Sequence, residues 1–141
     1  MMGVMPQNTP ATFTEYARIM RDMVRKGTVA AVAGNRVRVQ TGELLTNWLP
    51  WMCPRAGQVK ISSIPSIGEQ CLIVSENGDL NAGTVMPALH STANPLPDDC
   101  GQNDLILEVP AGGRLVLRCG SSSVVITENS IKALAGRIDL N

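Results

Sequence analysis

The chain has 141 residues, enough for one ordinary domain or one small domain with an appendage. Twelve Lys and Arg balance twelve Asp and Glu, so no basic excess points to a nucleic-acid or acidic-lipid surface. Aromatic residues make up 3% against 44% apolar, so any core is aliphatic, and no apolar run reaches the roughly 18 residues of a membrane span.

The first residues, 1–11, read as a frayed tail and lack the basic and apolar regions of a secretory signal. Cys53, Cys71, Cys100 and Cys119 match no zinc-ligand spacing. They are expected to be reduced, mostly buried thiols.

Thr12 and Glu15 form a capping-box pattern that opens a helix. Phe13, Tyr16, Ala17, Met20, Met23 and Val24 fall on one side of it at helical spacing. Arg18, Arg21, Asp22 and Arg25 fall largely opposite. Gly27 is expected to end the helix. A helix this short does not persist alone in water, so its apolar stripe is expected to dock on its own domain or on a neighbour.

From Thr28 onward the chain reads as all-β. Candidate strands cover 28–34, 36–42, 44–49, 59–63, 69–77 and 83–89, with turns at Gly34-Asn35, Asn77-Gly78 and Ala82-Gly83. The first two form an antiparallel hairpin. Many short strands in so little chain suit a small closed barrel over 28–94. Trp48, Pro50, Trp51 and Arg55 invite comparison with a base- or sugar-stacking site. Chain neutrality favours the plainer reading, in which both tryptophans plug a barrel end or cover the core.

Residues 95–104 follow as a linker, since prolines and adjacent acids do not suit a strand. The last segment, 105–141, reads as very short strands at 105–109, 114–119, 124–127, 130–134 and 137–140. Leu115, Leu117 and Cys119 alternate with Arg114, Val116 and Arg118, the pattern of a half-buried strand. Such a narrow ribbon has open edges and is marginal alone, so the sequence points to an oligomer.

No constellation of catalytic groups is read, and no catalytic, cofactor-binding or metal-binding residue is assigned. His90 is the single histidine, and one chain cannot build a multi-histidine site from it. Ser121 to Ser123 read as a turn and lie in no nucleophile motif. Asp98 and Asp99 are adjacent and tend to point apart, poor geometry for a carboxylate pair. Asn77-Gly78-Asp79 lacks the ligand series of a calcium loop, and 111–113 lacks a Walker pattern.

Several stretches together resemble a known family. They are the residues 21–29, 36–42, Thr46 to Trp51, Arg55 to Gly57, Pro65 to Val74, Gly78 to Leu80, Pro87 to Ser91 and Asn94-Pro95. In order and spacing they resemble the baseplate assembly protein V family, the central spikes of contractile-tailed phages and tailocins. The resemblance covers about residues 15–97.

It implies a mainly β protein: a tail and amphipathic helix over 1–27, an OB-like antiparallel barrel, a linker, and the start of an intertwined trimeric β-prism over 105–141. Leu105, Leu107, Leu115, Leu117, Val125 and Leu134 are the candidate inward positions of that prism.

The implied role is structural. A homotrimer in the virion baseplate, assembled in the host cytoplasm, would attach to the tail hub and be driven through the target outer membrane. The alternative is a spike or hub adaptor of a related contractile injection or secretion system, capped by a separate tip protein. No enzyme activity, cofactor or specific nucleic-acid binding is implied. Longer family members end in a His-x-His tip that holds iron. This chain has no such pair, so no tip metal is expected. A truncated chain and a blunt end capped by a separate tip protein both remain open as readings.

Overall fold

A computed structural model describes residues 12–141, and the tail expected at 1–11 lies outside the described residues. The described chain is mainly β, with one α-helix and antiparallel sheets. It divides into two compact units, one ending at Leu96 and the other spanning Pro97–Asn141.

Helix α1 (Phe13–Met23) opens at the capping box read from the sequence. Thr12 Oγ1 accepts the Glu15 N–H at 3.3 Å, and Glu15 Oε2 accepts the Thr12 N–H at 3.0 Å. The helix does not stop at Gly27. It ends at Met23 and runs directly into strand β1 (Val24–Ala33), where Gly27 pairs with Cys71. A Cβ on Gly27 would lie 2.3 Å from Val39 Cγ1 and 3.0 Å from the Gln40 carbonyl oxygen. Close strand approach, not helix termination, requires glycine there.

Strands β2 (Arg36–Thr41), β3 (Leu44–Leu45), β6 (Gln70–Val74) and β7 (Thr84–Leu89) join β1 in one sheet, in the order β3-β2-β1-β6-β7. The expected hairpin of the first two strands forms, with a register shift between Val29 and Ala31. Strands β4 (Arg55–Ala56) and β5 (Lys60–Ile61) pair only with each other, as a separate hairpin.

The segment after β3 closes the barrel. Leu49 exchanges both backbone hydrogen bonds with Val37 of β2, at 2.9 and 2.7 Å. On the far edge, Val85 N–H donates to the Pro50 carbonyl at 2.9 Å and the Met52 N–H donates to the Val85 carbonyl at 2.8 Å. One short stretch thus bonds β2 and β7 together and closes the ring between them. Only Leu44 and Leu45 of the strand expected at 44–49 are strand; the remainder serves as this bridge.

The core inside is aliphatic, as composition requires: Val29, Val37, Val39, Leu49, Cys71, Ile73, Leu80 and Val85. Two buried threonines are satisfied. Thr46 Oγ1 accepts the Val39 N–H at 3.0 Å, and Thr41 Oγ1 donates to the Lys26 carbonyl at 2.9 Å.

In the second unit, β8 (Leu115–Cys119), β9 (Ser122–Thr127) and β10 (Ser130–Leu134) form a meander in the order β10-β9-β8. The strands expected at 105–109 and 137–140 are not formed. Their apolar alternation is suited to a sheet, but among the described residues no strand pairs with them. Pairing of Leu115 with Ile126, and of Ile126 with Ile131, defines one apolar face, which also carries Leu117, Val124 and Ala133. Val125 and Leu134 sit on the opposite face with Val116 and Lys132. The six expected inward residues therefore do not share one face.

Candidate functional site

The residues with chemical potential do not converge. His90 is exposed just past β7. Asp98 and Asp99 are exposed in the second unit. Gly120 and Ser121 make the turn before β9, while Ser122 and Ser123 lie inside that strand rather than in the turn expected of them. Asn77, Gly78 and Asp79 form a tight turn against the helix. Among the described residues no group of three or more His, Cys, Asp or Glu is placed to hold a metal.

The tryptophans part company. Trp51 is half-buried and packs on the core, consistent with the covering role. Trp48 is 45% exposed and does not plug the barrel. Arg38 lies over its ring at 5.9 Å, held there by a 2.8 Å hydrogen bond from its Nε to the Thr46 carbonyl. Arg55 is in the β4–β5 hairpin and is exposed.

The cysteines also depart from expectation. Cys71 is buried, Cys53 and Cys100 are half-buried, and Cys119 is exposed. Burial, with the nearby Glu69 charge, pushes the Cys71 thiol up to about 11, so it is an inert core residue.

Three exposed apolar surfaces stand out among the described residues. The first is on α1. Its end is fixed to the barrel by Ser75, and its Ile19 backbone meets Gly78, where a Cβ would lie 3.0 Å from Ile19 Cα. This fixes the helix rotation with Ile19 half-buried and Asp22 buried. Asp22 Oδ1 accepts from Arg21 Nε at 3.1 Å and from Arg25 Nη1 at 3.4 Å. The hydrogen bond from Arg21 holds its carboxyl below the usual carboxylate range against the opposing effect of burial. The apolar stripe, which does not dock on its own domain, faces outward. Phe13, Tyr16, Met20, Met23 and Val24 are all exposed.

The second surface is the β4–β5 hairpin, of which only the strand expected at 59–63 is apparent from sequence. Residues 54–64 are all exposed, including Val59, Ile61 and Ile64. The alternation of apolar and polar residues from Val59 was the available signal.

The third is the whole second unit, in which no residue is buried. Leu105, Leu107, Leu117, Ile131, Leu134 and Leu140 are each more than half exposed.

Comparison with known proteins converges on this architecture. Residues 25–90 match the family described as the Type VI secretion system/phage-baseplate injector OB domain. Over 92 residues the chain is 42% identical to the spike protein of Escherichia phage P2, an alignment covering 64% of this chain and 44% of that protein. The chain therefore matches less than half of that relative's length. Residues 25–90, which hold the barrel and its Leu49 bridge, are thus similar to the Type VI secretion system/phage-baseplate injector OB domain.

Proposed function

We propose that this chain is the central spike of a contractile phage tail baseplate. In this reading, three copies intertwine through residues 97–141. The barrel and α1 attach the trimer to the tail hub and baseplate, and sheath contraction drives it through the target outer membrane. The chemistry is mechanical: apolar burial among three chains gives a stiff rod without catalysis.

The observation that carries the reading is the second unit. Ordering a residue costs roughly 1.5 kcal/mol, and a unit with no buried side chain has little to offset that. Its apolar face and the unpaired apolar segment at 105–109 would be covered by identical chains. The likeness to a phage spike protein supports a place in the virion baseplate. The exposed stripe of α1 offers a dry contact for a hub protein.

An antibody raised against residues 97–141 tests this placement. It labels the distal end of the baseplate axis in intact particles viewed by electron microscopy. Labelling along the sheath or on the capsid would contradict the proposal. The matched family also includes secretion-system injectors. That second reading places the same trimer on a secretion-system hub, with a separate protein capping its tip.

A further inference from the structure

The first unit carries a projecting element and a recess that do not fill each other. The β4–β5 hairpin belongs to no larger sheet, and two strands alone are marginal in water. It exposes Val59, Ile61 and Ile64 at 57%, 54% and 65%. Its charges are Arg55 and Lys60, with no acid between residues 53 and 68.

Elsewhere on the same unit, Met52, Val74 and Met86 line an open groove of about 580 Å³. The charged residues lining it are Glu76 and Asp79, with no base among them. Met52, Val74 and Met86 are exposed, so the chain's own hairpin does not cover them. Among the described residues, Arg55, Lys60, Glu76 and Asp79 enter no ion pair.

We infer that the β4–β5 hairpin of one copy seats in the Met52–Val74–Met86 groove of the next copy, with Lys60 and Arg55 facing Glu76 and Asp79. The inference rests on the trimer proposed above and adds a contact between barrels that the prism alone does not require. A knob and a hole at different places on one chain make a head-to-tail interface, which closes into a ring when the rotation allows. Three copies would then bury three hairpins and leave no groove open. Opposite charges at the rim fix which way the hairpin enters.

Zero-length carbodiimide coupling of the full chain, run beside light scattering, tests this. The expected result is a trimer mass and a peptide joining Lys60 to Glu76 or Asp79, found only in multimer bands. Lys60→Arg keeps the charge but cannot form the amide, so it removes that peptide without changing the mass. Ile61→Asp lowers its yield several-fold while the trimer persists. A trimer in which Lys60 stays unlinked to both acids, or is linked to them only in monomer bands, overturns the hairpin contact and leaves the proposed trimer standing. A monomer overturns the trimer and this inference together.

Discussion

Ser75 fastens the end of the helix to the barrel through Asp22. Its Oγ donates to the Asp22 carbonyl at 2.5 Å, and its backbone N–H donates to the Met23 carbonyl at 2.9 Å. These are carbonyls of the last helical turn, which have no partner inside the helix. Ser75 follows β6 immediately, so the helix is held by the strand that also pairs with β1.

Removing that hydroxyl therefore loosens the helix. Ser75→Ala leaves a buried carbonyl short of a donor and costs about 1–3 kcal/mol. Urea denaturation of the full chain followed by tryptophan fluorescence reads this, because Trp48 and Trp51 both lie in the first unit. An unchanged midpoint would show that the helix end is held by other contacts.

Asp22 carries a pH dependence. Its pKa is lowered in the folded state, first by the Arg21 hydrogen bond. Its contribution to stability is therefore fully present above the unfolded carboxylate value of about 3.9, and is lost as pH falls through the folded value. The stability gap between the native chain and Asp22→Asn is expected to be widest near about pH 7 and to shrink on acidification. A gap that widens toward acid would reverse the assigned sign.

Gly27 gives a steric prediction. A methyl group there meets Val39 Cγ1 and the Gln40 carbonyl at distances no real Cβ tolerates comfortably. Gly27→Ala is expected to destabilise the barrel by about 1–3 kcal/mol, the usual cost of overpacking. If Gly27 merely stopped a helix, as its position suggests from sequence, alanine would extend the helix and the midpoint would hold or rise.

That contrast marks what the sequence makes legible. Local chemistry reads well: Thr12 and Glu15 declare the helix start, and the 28–42 hairpin follows from alternation around Gly34-Asn35. Contacts between distant positions do not. Nothing near Gly27 in sequence reveals Val39 above it, and nothing near Leu49 or Trp51 reveals the bridges to Val37 and Val85. The helix stripe was legible as apolar but not as outward-facing, because Ser75 and Gly78 set its rotation from afar. Residues 105–109 have the alternation of a strand, yet a strand needs a partner, and among the described residues they have none.

The central claim concerns residues 97–141, and solution mass tests it most directly. Light scattering is measured on the full 15.0 kDa chain and on a version ending at Leu96. The account predicts a stable trimer for the full chain and loss of that trimer on truncation. A monomer for the full chain, or an equally stable trimer without residues 97–141, would contradict it.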